Sequence, residues 1–496
     1  MAHSGVVFPE VDGKRSTSAL GRAVVADALR GVDPVGARAA ERETNWRQGY
    51  LTHFKRLVEA GLLRDGEAAV DVAQAGLASL HARMRATTPH GEVPLAEAFA
   101  APAGPPGDTP AGTPLGTATV RGSGERAAEL SLPLHGDRLR GDALRRQLDD
   151  WTTRGIIEPS AAEAVRTVLA NPDWLDLRDQ RVVVLGAGAE MGPLRSILSW
   201  GGEVIGVDLP RADIWKRVLD VAASSAGALH MPVAADAPWS AHDLATHAGA
   251  DLLHGLPAIA DWLTELDGPL VLGNYVYADG ATNVRVSMAV DVLSTELMRR
   301  RADVALAFLA TPTDVFAVPG DAVEHSTRTY RGPSTPMRLV RPALRTMSGG
   351  RLLRRNYAPG TDPGLNDSLV PQQGPNYALA KRLQRWRATV ARRDGRTVSL
   401  NVAPPTRTRS VVKNRALASA YAGAHRFGIE VFEPATSNTL MAALLVHDLR
   451  TAPHAPTTPW REEAAGAVHG GLWRTPYEPR SALGIAVVLG LGSART

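Results

Sequence analysis

Val182-Val183-Val184-Leu185-Gly186-Ala187-Gly188-Ala189-Glu190-Met191-Gly192 is the stretch from which the fold can be read. Four branched apolar residues in succession suit a strand buried on both faces. The glycines permit a sharp turn, and Leu194, Ile197 and Leu198 then recur at helical spacing. In a strand, glycine turn and helix taken in that order, a pyrophosphate can approach main-chain N–H groups at a helix N-terminus. A second apolar run, 203–207, leads into Asp208, 22 residues after Gly186. A carboxylate there can accept hydrogen bonds from both hydroxyls of an adenosine ribose. The spacing is G-x-G-x-x-x-G, with Met191 where the usual third glycine would stand. Candidate cofactor contacts are therefore Gly186, Gly188, Glu190, Met191, Gly192 and Asp208. Asp208 favours NAD, whereas Arg211 can meet the 2′-phosphate of NADP. S-adenosylmethionine-dependent methyltransferases also use a glycine turn with an acidic strand end, so this stretch alone admits them.

Outward from it, short apolar runs at 182–185, 204–207, 252–253, 304–309 and 398–402 alternate with amphipathic helical patterns. That alternation predicts an α/β fold, a doubly wound, Rossmann-like parallel sheet with helices on both faces. Upstream, 18–84 is patterned as helices, which predicts a mainly helical N-terminal region over 1–100. Residues 101–124 are dense in Pro and Gly and predict a linker or loop. A helical connection over 125–180 follows, with Ser160 and Glu163 at capping-box spacing. The Rossmann-like domain is then expected over 181–453, with a C-terminal extension over 454–496.

Asn376-Tyr377-Ala378-Leu379-Ala380-Lys381 opens another helical pattern, and four-residue spacing puts Tyr377 and Lys381 on one face. An ammonium beside a phenol lowers its pKa from about 10, so the tyrosine can exchange a proton with a substrate hydroxyl or carbonyl. Reversible alcohol oxidation requires such a group once a nicotinamide carries the hydride. By itself, Y-x-x-x-K also describes an ordinary exposed helix start.

Downstream lies Val398-Ser399-Leu400-Asn401-Val402-Ala403-Pro404-Pro405-Thr406-Arg407-Thr408. Together with the tyrosine helix it resembles the short-chain dehydrogenase/reductase family, with Pro405 in place of a glycine. The resemblance covers roughly 181–449 and implies an NAD- or NADP-dependent oxidoreductase. It implies Tyr377 as general acid/base, Lys381 as the group that lowers its pKa and holds the nicotinamide ribose, and Thr408, with Ser410 as a rival, on the carboxamide. It further implies Asp236 at the adenine and Asn283 as a structural and water-holding asparagine. Thr311 or Thr313 would supply the hydroxyl that orients the substrate oxygen. His254-Gly255-Leu256-Pro257 stands where the family has N-N-A-G. Thr311 and Tyr377 are 66 residues apart, longer than the family interval, so 320–373 reads as an insertion, with Ser368 as the other candidate hydroxyl.

Composition narrows the rest. The chain has 496 residues, 44% hydrophobic and 21% charged, enough apolar surface for two or three packed domains. A net charge of +4 makes nucleic acid an improbable main partner. With no cysteine there is no disulfide, thiolate metal site or catalytic thiol. The histidines show no metal-ligand spacing. No signal peptide is apparent and the late apolar stretch 482–492 is far short of a bilayer span, which predicts a cytoplasmic protein without membrane contact. The expected partner is a small-molecule substrate; self-association into a homo-oligomer is left open. Eight arginines and no acid between 328 and 355 suggest a lid whose rim attracts a phosphate, a carboxylate or a carrier-borne phosphopantetheine arm. Trp460, Trp473 and Tyr477 either line an apolar substrate cleft or, the reading preferred, pack the chain's end onto the core. A non-catalytic dinucleotide sensor or scaffold also fits the departures from the family pattern.

Overall fold

Along an extended run successive side chains must point to opposite faces. In the computed structural model Val183 and Leu185 enter one apolar cluster, and Val182 and Val184 another. The structure describes residues 5–88, 91–99, 114–235, 240, 242–333, 335–413, 415–451 and 457–491. Seven strands form the central sheet: β1 (Leu115–Arg121), β2 (Arg181–Leu185), β3 (Glu203–Val207), β4 (Ala228–Ala234), β5 (Leu270–Asn274), β6 (Val304–Ala310) and β7 (Val398–Val402). Their spatial order is β7-β6-β5-β2-β3-β4-β1. Strands β2 to β7 are parallel; β1 runs antiparallel along β4. The order reverses between β2 and β5, and in an open α/β sheet the crevice beyond the carboxyl ends at such a point is where ligands bind.

Both faces are covered, which is why the parallel strands are apolar throughout. On one face lie helices Ala281–Arg300 and Gly374–Arg393, backed by the N-terminal helices Thr17–Arg30, Trp46–Gly61 and Ala68–Arg83. Helices Pro159–Ala170, Ala212–Ala223 and Pro434–Arg450 cover the other. The predicted Rossmann-like α/β architecture and helical N-terminal region are both present. Those N-terminal helices share one apolar cluster with the sheet, and a buried network, His81 and Arg387 on Asp291, ties them to the helices beneath. No helix among the described residues is long and apolar enough to cross a membrane.

Four local expectations are corrected. Residues 115–121, read as part of a linker, form the edge strand β1, because Leu115 to Arg121 find a complete antiparallel partner in β4; most of the Pro/Gly-dense stretch before it lies outside the described residues. Leu252-Leu253 is a turn and not a strand: the Asp251 carboxylate accepts the Leu253 N–H at 2.8 Å and meets the His254 ring at 2.8 Å, an Asx turn that draws the backbone out of any ladder. The fourth parallel strand is β5. Ser160 does not cap its helix; Glu158 holds that position, and the Ser160 hydroxyl donates to the Ala465 carbonyl at 2.6 Å. The insertion is no irregular lid: Val315–Val318 pairs with Gly364–Asp367, and the excursion between them carries helices Gly320–Arg331 and Thr335–Met347.

Candidate active site

The turn after β2 is built around Gly186, whose φ of +87° is costly for any other residue. A Cβ there would stand 3.0 Å from the Tyr275 carbonyl oxygen, so the turn also needs the missing side chain. The Gly188 N–H donates to Asp208 at 2.8 Å, and the other Asp208 oxygen accepts the Leu209 N–H at 2.8 Å. Burial nevertheless pushes this carboxyl above its ordinary range. Glu190 turns away from the sheet to accept the Arg409 N–H at 2.9 Å and to pair with its guanidinium at 2.7 Å. Gly192 does not line the cleft: its carbonyl accepts the Asn438 amide, and a Cβ there would make ordinary contact with Val184 at 3.4 Å.

From this turn a cleft of about 1460 Å³ runs across the carboxyl ends of the strands. It is lined by Gly186, Gly188, Glu190, Met191 and Asp208 at one end, and by Thr311, Thr313, Tyr377, Lys381, Asn283 and Thr408 farther along. Residues that the sequence places more than 200 positions apart thus share one cavity. Asp236 and the Ser410 side chain lie outside the described residues. Among the described residues no group of three or more His, Asp or Glu side chains is arranged to hold a metal ion.

Helix Gly374–Arg393 presents Tyr377 and Lys381 to the cleft, as the four-residue spacing predicts. Their electrostatics differ from the expectation. The Lys381 amine donates to the Leu309 carbonyl at 3.2 Å and to Gln384 at 3.1 Å, and burial lowers its pKa to about 8. The Tyr377 phenol is pushed up, chiefly by burial and secondarily by the Asp314 charge, while the neighbouring Thr311 hydroxyl favours the ionised form. In the free chain desolvation acts on both groups, in opposite directions because one is charged when protonated and the other when not.

The candidate hydroxyls differ in their surroundings. Thr311 sits beside the phenol, its Oγ1 lies 3.0 Å from that of Thr313, and Gln373 donates to Thr313 at 2.7 Å. Ser368 also lines the cleft, but it is buried and its hydroxyl donates to Asn366 at 2.6 Å. Asn283, at the start of helix Ala281–Arg300, accepts the Ala278 N–H at 3.2 Å and so pins the loop that follows β5.

That loop carries what the sequence reading missed. Strand β5 ends at Gly273-Asn274 and leads into Tyr275-Val276, so His254-Gly255-Leu256-Pro257 does not stand at a strand end. Asn274 is buried, lines the cleft, and its Oδ1 has no hydrogen-bond partner among the described residues. Tyr277 packs edge-on against Tyr377 at 6.3 Å, and Tyr421 is pushed up by burial and, secondarily, by the nearby Tyr377 phenol. Finding β5 from its apolar run after Gly268-Pro269 would have located Asn274; nothing local marks Tyr421. Asp314 is also new: it receives Arg382 at 2.8 Å and Arg385 at 2.7 Å, fastening the Thr311–Asp314 loop to the tyrosine helix.

No family model matches the chain, and no curated protein is similar to it. Among solved structures it is similar to a thiolation-reductase di-domain from an archaeal non-ribosomal peptide synthetase, at 11% identity and a TM-score of 0.28. That likeness covers 56% of this chain and 54% of the other, so the chain spans about half the length of the structure it matches.

Proposed function

We propose that the chain is an oxidoreductase that moves hydride between a nicotinamide dinucleotide, NAD in preference to NADP, and the carbonyl or secondary alcohol of a small molecule. One observation carries the reading: Thr311, Tyr377 and Lys381 line the same cleft as the glycine turn and Asp208, at the reversal point of the sheet. The residues fit such a cofactor. Gly186 and Gly188 line the cleft beside Asp208, and Asn274 keeps a buried acceptor unsatisfied at the strand end. The turn and Asp208 would hold the adenosine and pyrophosphate end, Lys381 and Thr408 the nicotinamide end. The bound nicotinamide supplies or accepts the hydride. Tyr377 exchanges the proton with the substrate oxygen, Thr311 orients that oxygen, and Thr313 with Gln373 holds Thr311. Titration with NADH, NADPH and S-adenosylmethionine tests the reading; binding of the last alone overturns it.

Two further outcomes follow from the site. Asp208 faces the place of a ribose with a negative charge, and Arg211 is held by Asp213 at 2.9 Å. Asp208→Asn keeps an acceptor for the Gly188 amide but removes the charge. It is expected to weaken NADH on the order of tenfold and to strengthen NADPH, as read from fluorescence titration; an unchanged ratio means the residue does not meet the ribose. Lys381 has its pKa lowered to about 8. If its ammonium holds the ribose, dinucleotide affinity is full below that pH and falls as pH rises through it. Lys381→Met should bind weakly at every pH without that step, and a flat profile in the parent chain removes Lys381 from the binding site.

A further inference from the structure

Three segments of this chain contain no Asp or Glu at all: 325–361, 402–429 and 479–496. They hold fifteen Lys and Arg, in a chain whose whole excess of cations is four. The fold brings the described parts of all three to one place. Met337 and Leu344 of helix Thr335–Met347 pack with Ala482 and Ala486 of helix Pro479–Gly490 around Phe427 and Tyr477. Helix Arg415–Ala424 crosses helix Pro479–Gly490 so closely that a Cβ on Gly423 would stand 2.0 Å from the Ala486 carbonyl oxygen. Leu417, Tyr421, Leu483 and Ala486 of the last two helices wall the cleft beyond Tyr377, so their inner faces make its far end apolar.

Their outer faces are apolar as well. Of twelve exposed large hydrophobic side chains among the described residues, seven lie on or next to these helices and the short helix Arg409–Lys413. Met347 is 85% exposed, Leu339 75% and Val488 66%, with Val340, Val412, Leu489 and Leu491 beside them. A water-facing surface has no use for such a concentration. Half of the arginine rim is occupied internally: Arg341 and Arg355 stack on Tyr330, Arg345 donates to the Leu353 carbonyl, and Arg354 pairs with Glu478. Arg331, Arg338, Arg351 and Lys413 have no acidic partner among the described residues and are exposed.

We propose that this cap docks on an anionic lipid surface, and that the substrate is an apolar, bilayer-soluble carbonyl compound or alcohol that passes between the cap helices into the cleft. Apolar side chains ringed by unpaired cations on the outer face of helices are the chemistry that inserts at the boundary of headgroups and acyl chains. Docking of this kind requires no spanning segment. The substrate clause rests on the oxidoreductase reading; the docking clause does not.

The test is flotation of the full chain with vesicles of phosphatidylcholine alone and of phosphatidylcholine mixed with phosphatidylglycerol. Binding is expected to the mixed vesicles and to weaken with salt. Arg331→Gln and Arg338→Gln should each reduce it roughly fivefold, and Leu339→Gln with Met347→Gln on the order of tenfold. These side chains are exposed, so the variants fold, and their NADH affinity serves as the check. No binding to either vesicle, or binding that ignores the four substitutions, overturns the proposal. So does a self-associated chain that Leu339→Gln with Met347→Gln turns monomeric, which would assign the face to a second copy. An acidic protein that captures the chain through these residues while vesicles do not has the same consequence. Vesicle binding by a chain that binds no dinucleotide would retain the docking and remove the substrate clause with the oxidoreductase reading.

Discussion

Tyr377→Phe is expected to lower kcat by 10²–10⁴-fold, on the order of what a positioned acid or base supplies, and to leave NADH affinity close to that of the parent chain. The substitution keeps the ring against Tyr277 and removes one oxygen, so packing is preserved and only the proton path is lost. Burial pushes this phenol above its ordinary pKa, and Lys381 titrates near 8, so at neutral pH both groups hold their protons. A neutral phenol is an acid, suited to protonating a carbonyl oxygen as hydride arrives. Carbonyl reduction should therefore be level at neutral pH and decline toward alkaline pH, whereas alcohol oxidation should rise with pH as the phenol ionises. Thr311→Val should lower kcat as well and Thr311→Ser restore it, because only the hydroxyl beside the phenol is asked for. Comparable turnover in Tyr377→Phe would dismiss the mechanism, whatever the cofactor.

Asp314→Ala should cost the fold about 3–5 kcal/mol, the effect of stripping the counter-ion from a buried charge. Asp314, Arg382 and Arg385 are 1%, 4% and 2% exposed. Arg385 would retain Glu463, which it meets at 2.7 and 2.6 Å, and its stacking on Phe316 at 4.1 Å. Arg382 would retain nothing: its bond to Asp314 is its ion pair, and its Nε already lacks a partner among the described residues. The urea midpoint should drop accordingly, and Asp314→Asn, which preserves the shape and one acceptor, should drop less. Asp27→Ala provides the contrast, since its arginine partners are exposed and such pairs contribute roughly 0–1 kcal/mol. A midpoint that Asp314→Ala leaves unmoved would show that the network does not hold the Thr311–Asp314 loop against the tyrosine helix.

Strand β2, its glycine turn and Asp208 are legible in sequence because each is a local pattern: an apolar run, a residue without a Cβ, a polar strand end. Tyr377 and Lys381 are legible as a pair because helical spacing alone puts them on one face. Strand β5 and Leu252-Leu253 look alike in sequence because both are short apolar runs, and only the Asp251 side chain, by capping the Leu253 amide, separates them. Likewise β1 hides in a Pro/Gly-rich stretch, since an edge strand is defined by the neighbour it pairs with.

The architecture follows from patterns that repeat every two or roughly four residues, and such patterns need no knowledge of what lies across the fold. The charge states and the surroundings of each hydroxyl needed the folded chain. Thr311 faces the phenol while Ser368 turns to Asn366, Lys381 reaches Leu309, and three acid-free segments meet over the cleft. These depend on burial and on partners scores of residues away in the chain, where distance in space and distance in sequence have parted company.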